Sequence, residues 1–145
     1  MKNIQTELTL ATQQTEQNTN ATNGTTRSDA TKNLLTHHLS SFLDNDLEAV
    51  VSDYTDESVL ITQAATYIGR KEIATFFADL IIHFPKGNAN FDLDKMEVKD
   101  EFAFIVWHAT TPSVNVPLGS DTFIITGGKI RKQTFVGIME FIIAS

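Results

Sequence analysis

The sequence predicts an α+β domain in which about three helices wrap a curved antiparallel sheet around an apolar pocket. Apolar residues recur at helical spacing in the first part of the chain, whereas extended and β-branched segments dominate the second part. Because the helices mostly precede the strands instead of alternating with them, the pattern indicates α+β and not a βαβ fold. A sheet of this size has to twist, so helices cover only part of its concave face and leave a pocket.

The elements before residue 86 follow from capping residues and apolar spacing. Ser28-Asp29 supplies N-capping side chains for a first helix, and Asp44-Asn45-Asp46 ends it. The later elements in this part are a short helix ending at Tyr54, a β-branched strand at Ser58–Thr62, an extended piece at Tyr67–Gly69 and a helix at Lys71–Phe84 that Pro85 and Gly87 terminate.

Four strands are predicted after the last helix. They are Asn90–Val98, Phe102–Thr110, Gly119–Thr126 and Lys129–Ile138, with a loop at Pro112–Pro117. The second of these is almost continuously apolar, which predicts a central strand covered on both faces. Gly127-Gly128 predicts a tight hairpin, because both glycines adopt positive φ without strain. The apolar segment Phe141–Ile143 is expected to pack on the sheet or on another subunit.

Composition limits the classes of protein to consider. The first 30 residues, of which 16 are Thr, Asn or Gln, predict a flexible polar tail, and residues 31–145 predict the folded domain. The net charge of −7 argues against nucleic acid as a partner. The absence of cysteine excludes disulfides and thiolate metal sites. Neither a membrane-spanning run nor a secretory signal is recognised, so a cytoplasmic protein is expected.

Three segments carry a resemblance to a known superfamily. They are DLEAVVSDYTDESVLI at Asp46–Ile61, GRKEIATFF at Gly69–Phe77 and DTFIITGGKI at Asp121–Ile130. Residues 31–140 resemble nuclear-transport-factor-2-like proteins, and more narrowly the SnoaL-like and ketosteroid-isomerase-like branches. This resemblance implies a cone-shaped α+β fold and frequent homodimers that pair through the convex sheet face. It implies no single function, since the superfamily contains isomerases, cyclases and non-enzymatic binding domains.

The resemblance also suggests where catalytic side chains fall. The oxyanion-binding tyrosine of the ketosteroid-isomerase-like branch corresponds to His38, its aspartate base to Thr62, and its second acid to Asp121. A threonine hydroxyl is too weak a base to remove a carbon-bound proton, so the steroid isomerase reaction is disfavoured. SnoaL-like cyclases use an acid on a late strand, and Asp121 matches that role as an alternative.

Two candidate residues carry the possible chemistry. Asp121 shares a strand face with Phe123 and Ile125, where an acid has a raised pKa, although a solvated aspartate at a strand end fits the same pattern. His38 lies on the apolar stripe of the first helix. A histidine there either shuttles a proton to a ligand or, more commonly, packs in the core.

The remaining candidates would form the wall of the pocket. Trp107 and His108 alternate along one strand, so only one of them faces the pocket. Tyr54 would direct its hydroxyl inward. Phe77, Phe123 and Thr62 are expected to line the pocket as well. The histidines lack metal-ligand spacing and no nucleotide-binding motif occurs, so neither a metal nor a cofactor is expected.

The sequence is compatible with two functions. The first is a cofactor-independent isomerase or cyclase that acts on a small apolar carbonyl compound, with Asp121 as acid or base and His38 as its polar partner. The second is a non-catalytic ligand-binding or dimerisation domain, which the threonine at position 62 favours. A homodimer is expected in both cases.

Overall fold

The computed structural model describes residues 26–143, which contain three helices and one six-stranded sheet. The elements are α1 (Arg27–Leu43), α2 (Leu47–Ser52), β1 (Tyr54–Thr62), β2 (Thr66–Ile68), α3 (Gly69–Ile81), β3 (Asn90–Lys99), β4 (Phe102–Thr110), β5 (Val114–Thr126) and β6 (Lys129–Phe141). The predicted α+β class is confirmed. The tail predicted for residues 1–30 falls largely outside the described residues, and its last four residues form the start of α1.

The sheet is curved and does not close into a barrel. Its strand order is β2-β1-β6-β5-β4-β3, and every neighbouring pair is antiparallel except β1 and β6, which are parallel. Register shifts interrupt four of the five strand pairs. Because such irregularities bend a strand and increase its twist, they account for the curvature. The three helices pack on the inner face, and no helix in residues 26–143 is long and apolar enough to cross a membrane.

The first helix is fastened to the turn between β3 and β4. Thr26 caps it, because the Thr26 hydroxyl accepts a hydrogen bond from the Asp29 N–H at 3.0 Å while Asp29 accepts one from the Thr26 N–H at 3.3 Å. The predicted cap at Ser28-Asp29 is therefore wrong by two residues. Ser28 instead accepts a bond from the Asp100 N–H at 2.9 Å, and Arg27 lies 3.3 Å from the Asp100 carboxylate. These contacts hold α1 over the sheet.

Two other element boundaries differ from the prediction. Tyr54 begins β1 instead of ending α2, since the helix stops at Ser52 and Asp53 caps its carboxyl end. The predicted loop at 112–117 is partly strand, because β5 begins at Val114 and passes through Pro117. The β5–β6 register shifts between Asn115 and Leu118, which accommodates a residue that has no N–H for the ladder.

The prediction that both faces of β4 are covered is also wrong. Burial alternates along this strand, with Ala103, Ile105 and Trp107 buried while Phe104 and Val106 are only partly covered. The helices cover the inner face alone. The outer face of the sheet is apolar but open, which explains why the strand has few polar residues.

The Gly127-Gly128 hairpin is confirmed and it determines the register on which the site depends. The two glycines have φ values of +59° and +72°, as a tight turn between twisted strands requires. The turn pairs β5 with β6 so that Asp121 lies opposite Phe135 and Phe123 lies opposite Gln133. Consequently the polar side chains of the two strands reach the inner face close to one another.

Candidate functional site

An apolar cavity lies between α1, α3 and the inner face of the sheet. Its cavity volume is about 50 Å³, within about 470 Å³ of empty space that includes the solvent at its open mouth. Three of its thirteen lining residues are polar: His38, Asp121 and Gln133. The apolar lining residues are Leu39, Phe42, Phe76, Phe77, Leu80, Phe91, Ile105, Trp107, Phe123 and Phe135. A concave apolar space with a few convergent polar groups is the usual form of a small-molecule site.

Asp121 is the carboxyl of this cavity. The Trp107 indole N–H donates to its Oδ1 at 2.8 Å, and the Gln133 side-chain N–H donates to its Oδ2 at 2.9 Å. Burial raises the pKa of Asp121 to about 6, although both N–H donors and the charge of His38 act in the opposite direction. A carboxyl with this pKa gives up or accepts a proton near neutral pH.

A chain of side-chain contacts leads away from Asp121 through the core. The Tyr54 hydroxyl donates to Gln133 Oε1 and also lies 3.3 Å from His38 Nε2. His38 Nδ1 in turn lies 3.3 Å from Asp53 Oδ2. Burial raises the pKa of the Tyr54 phenol well above its usual value, and the charges of Asp121 and Asp53 raise it further. Tyr54 therefore stays protonated and has one hydrogen to donate.

The outer end of this contact chain reaches the surface. His37 Nδ1 lies 3.0 Å from Asp53 Oδ2, and the His37 side chain is half exposed, whereas those of His38 and Asp53 are almost completely buried. Asp53 thus contacts two imidazoles, one facing solvent and one facing the core. A buried carboxylate of this kind requires such partners.

Trp107 is held in place by an aromatic stack and by a glycine. Its ring centroid lies 5.1 Å from that of Phe91 and 5.9 Å from that of Phe135, with interplanar angles of 25° and 12°. The indole lies directly over Gly119, where a Cβ atom would come within 2.4 Å of Trp107 Cε2. Only glycine at this position allows the indole to lie against β5 and reach Asp121.

The structure brings together most of the residues singled out from the sequence. Five of them line the cavity, and Tyr54 reaches the polar chain through its hydroxyl; the five are Asp121, His38, Phe77, Trp107 and Phe123. Asp121, Phe123 and Ile125 are all buried on one face of β5, as the alternation predicted. Of the alternating pair on β4, Trp107 is the residue that faces the cavity.

Thr62 and His108 lie elsewhere, contrary to the prediction that they line the pocket. Thr62 ends β1, where its hydroxyl donates to the Ala65 carbonyl at 3.2 Å and belongs to the β1–β2 turn. His108 is on the outer face of β4, with Nδ1 2.7 Å from Asp94 and Nε2 3.1 Å from Asp92. The hydrogen bond to Asp94 contributes most to raising the pKa of His108, and Asp92 adds to it.

Sequence reasoning missed two polar residues, Asp53 and Gln133. A signal for Gln133 was available, because it alternates with Phe135 and Gly137 on β6, and an amide on an apolar strand face needs a partner. Asp53 had no comparable signal, since an aspartate at the end of a short helix is most often solvated. Within residues 26–143, no group of three histidine or acidic side chains is placed to bind a metal ion.

Comparisons with known proteins identify the fold. The sequence matches no profile of a known family and no curated protein. Among solved structures, a "putative ketosteroid isomerase" from Kribbella flavida superposes with a TM-score of 0.66 at 10% identity, covering 84% of this chain and 87% of that one. An NTF2-like protein of unknown function from Mesorhizobium loti superposes at 0.64 with 19% identity, covering 77% and 93%.

A third structure agrees with these two. A "putative SnoaL-like polyketide cyclase" from Shewanella denitrificans superposes with a TM-score of 0.60 at 14% identity, covering 75% of this chain and 89% of that one. Sequence identities this low establish shared architecture and leave the chemistry open. The chain has the fold of the nuclear-transport-factor-2-like proteins.

Proposed function

We propose that this chain binds a small, largely apolar carbonyl compound in its cavity and that Asp121 exchanges a proton with it. The observation that carries this proposal is a single carboxyl in an otherwise apolar cavity, with a pKa of about 6. Each carboxylate oxygen accepts one hydrogen bond from the protein and has a further lone pair for a ligand. Such a group is suited to take a proton from a carbon next to a carbonyl.

The reaction class that fits is a cofactor-independent isomerisation or cyclisation. Thr62 lies outside the cavity. Among the described residues, Asp121 is the one acidic side chain that lines the cavity, so a single carboxyl has to serve as both base and acid. The names of two structural neighbours, a ketosteroid isomerase and a polyketide cyclase, belong to this class of reaction. His38 contributes indirectly, because both of its ring nitrogens already face protein groups.

The alternative is a non-catalytic domain that holds a ligand in the same cavity. The fixed partners of Asp121 favour it, because Trp107 and Gln133 each already donate a hydrogen bond to one of the two carboxylate oxygens. The stacked rings around Trp107 also take up much of the space. In that case Asp121 would orient the ligand without any change in its own protonation.

Hydrogen–deuterium exchange of an enolisable ketone distinguishes the two functions. We expect the protein to accelerate exchange of the α-hydrogens of β-tetralone, a planar two-ring ketone, in deuterated buffer. Asp121→Asn should lower that acceleration by about 100-fold, the usual contribution of a general base. NMR follows both the exchange and, through shifts of Phe123 and Trp107 resonances, the binding of the ketone.

Asp94→Asn is the matched control, because Asp94 lies on the outer face and contacts His108. It should leave the exchange rate unchanged. If the ketone binds and the unmodified protein gives no acceleration, the non-catalytic function is supported. Equal acceleration by the protein and by Asp121→Asn would overturn the role given to Asp121.

We also propose that two copies of the chain pair through the outer face of the sheet. This face carries half-exposed apolar side chains on four adjacent strands, namely Ile61, Phe102, Leu118, Val136 and Ile138. Exposed apolar groups on neighbouring strands form a continuous surface, which is unusual on a monomer. Pairing through it would bury these side chains and leave the cavity mouth, on the opposite side of the sheet, open to ligand.

Val136→Lys should convert the dimer to a monomer, because each copy would have to bury an unpaired charge in the interface. Ile82→Lys is the matched control, since Ile82 is exposed after α3 and away from this face. Sedimentation velocity at micromolar concentration measures the outcome. A monomeric unmodified protein, or an equal effect of both substitutions, would contradict the proposed interface.

A further inference from the structure

We propose that a second concave site, next to the cavity, binds an N-methylated ammonium group of a small molecule. We call this site the α3 groove. It has a cavity volume of about 210 Å³ and is open to solvent. Its six lining residues are Tyr67, Phe76, Asp79, Leu80, His83 and Phe141. Asp121 is not among them, so the proposal stands apart from the proton exchange proposed above.

Helix α3 supplies most of the α3 groove. Its groove-lining residues, together with one in the turn that follows, are spaced three or four positions apart: Phe76, Asp79, Leu80 and His83. Residues with this spacing lie along one side of a helix. Phe76 and Leu80 also line the cavity, so these two side chains separate the cavity from the α3 groove.

Phe141, the last residue of β6, contributes the part of the wall that comes from the sheet. Ser113 fixes this part of the wall to α3. The Ile142 N–H donates to the Ser113 carbonyl at 2.9 Å, and His83 Nδ1 lies 2.8 Å from the Ser113 hydroxyl oxygen. The ring centroids of His83 and Phe141 are held 5.1 Å apart, so the α3 groove is formed before any ligand binds.

The aromatic rings of the α3 groove keep their faces available to a ligand. The rings of Tyr67 and Phe76 have centroids 5.2 Å apart and are inclined by 55°, and those of His83 and Phe141 are inclined by 66°. Neither pair is stacked face to face, unlike Trp107 in the cavity. The face of an aromatic ring carries the negative part of its quadrupole, which attracts a cation.

The charge of the α3 groove also favours a cation. Asp79 is exposed and is the one carboxylate among the lining residues. Within residues 26–143, neither lysine nor arginine lines the α3 groove, and the whole chain carries a net charge of −7. An uncharged apolar ligand would displace water from Asp79 without replacing its interactions, whereas a cation replaces them.

The mostly carbon lining indicates which kind of cation fits. A primary ammonium group has three N–H donors, and each of them needs an acceptor. The lining side chains other than Asp79 offer few acceptors, because Phe76, Leu80 and Phe141 offer none. An N-methylated ammonium group has few or no N–H donors, contacts aromatic rings through its methyl groups and keeps its charge for Asp79. We therefore infer a quaternary ammonium group of the choline type.

NMR titration with choline tests the proposal. Choline should bind with a dissociation constant in the millimolar range, and its methyl protons should show NOEs to the rings of Tyr67 and Phe141. The neutral analogue 3,3-dimethylbutan-1-ol, which has carbon in place of the charged nitrogen, should bind at least about tenfold more weakly. Titration at about pH 8 keeps ordinary imidazoles uncharged, so they do not compete with the ligand.

Two substitutions separate the contributions of the ring and of the carboxylate. Phe141→Leu and Asp79→Asn should each weaken choline binding by about fivefold, the effect of one exposed cation–π contact or ion pair. Phe102→Leu is the control for the ring, because Phe102 is similarly exposed and lies on the outer face of the sheet. Glu97→Gln is the control for the charge, because Glu97 lies on β3, at the edge of the sheet opposite β2. Both controls should leave choline binding unchanged.

Several results with the unmodified protein would overturn the proposal, and none requires a variant to fold. Equal affinity for choline and its neutral analogue would show that the charge is not recognised. NOEs to Trp107 instead of Tyr67 and Phe141 would place the cation in the cavity, and no shifts at about 50 mM choline would show that no site exists. A trimethyllysine peptide that binds more tightly than choline would assign the α3 groove to a protein partner instead of a small molecule. Choline has no carbonyl, so absence of ketone exchange does not bear on this test.

Discussion

We expect Gly119→Ala to displace the Trp107 indole and to lower the free energy of unfolding by about 3 kcal/mol, the upper end of the cost of overpacking a core. The new Cβ would lie 2.4, 2.6 and 2.9 Å from three atoms of the indole, closer than van der Waals contact permits. The ring is stacked on Phe91 and Phe135, so it moves only if that stack is disrupted. Its hydrogen bond to Asp121 would be lost at the same time.

Urea unfolding and intrinsic fluorescence measure this effect together, because Trp107 is the single tryptophan of the chain. Emission should move to longer wavelength as the indole leaves its buried position. Trp107→Phe supplies the control background, in which a smaller ring leaves room and Gly119→Ala should cost less than half as much. A change within about 0.5 kcal/mol with unaltered emission would show that the glycine is not required.

The residues that the strands direct into the site could be predicted from the sequence, because side chains alternate between the two faces of a strand. Once β4 and β5 were recognised, Trp107 and Asp121 followed from their apolar neighbours on the same face. The assignment of Thr62 to the pocket failed because it came from a resemblance and not from alternation along a strand. The structure places Thr62 in the β1–β2 turn with Ala65.

The contacts that link Asp121 through Gln133 and Tyr54 to His38 could not be predicted from the sequence, because they join distant parts of the chain. Tyr54 and Gln133 are 79 positions apart, and the parallel pairing of β1 with β6 brings their strands together. This pairing was not predicted. A register shift within it also changes which residues of β6 face inward. Alternation counted back from Phe135 turns Gln133 inward, whereas alternation counted from Ile130 turns it outward, so the sequence alone does not choose between the two.

The boundary errors have local causes. Pro117 suggested a loop, but a register shift allows β5 to pass through it. The apolar run of β4 suggested a strand covered on both faces, whereas its outer side chains belong to the open face of the sheet. An apolar residue on an open sheet face is not distinguishable by pattern from one that faces a core.

Asp121→Asn is expected to stabilise the folded chain by about 3 kcal/mol at neutral pH and to remove the contribution that Asp121 makes to the pH dependence of stability between its two pKa values. The pKa of Asp121 is about 6 in the folded state and 3.8 without the fold. Between these values the folded chain holds a proton that the unfolded chain releases. The free energy of unfolding therefore falls as pH rises through this window, and the contribution is fully lost above pH 6.

Urea unfolding of both proteins at about pH 4 and about pH 8 measures this difference. The variant should be more stable at the higher pH and nearly equal at the lower one. Asp94→Asn is again the control, because Asp94 is half exposed and its removal should change stability by less than about 1 kcal/mol. A variant that is less stable than the unmodified protein at the higher pH would show that the Asp121 carboxylate stabilises the fold.

The reason to expect stabilisation is that an amide fits this position without loss of any hydrogen bond. The side-chain oxygen of the new residue accepts from Trp107, and its N–H donates to Gln133 Oε1 once the Gln133 amide turns over. The Tyr54 oxygen then accepts from the turned Gln133 amide, and the Tyr54 hydroxyl still lies 3.3 Å from His38 Nε2. A carboxyl that is less stable than its own amide serves the fold poorly, so its presence in the cavity points to chemistry. If Asp121→Asn is more stable than the unmodified protein and no longer accelerates ketone exchange, both results support a catalytic role for Asp121. A purely structural carboxyl would show neither effect.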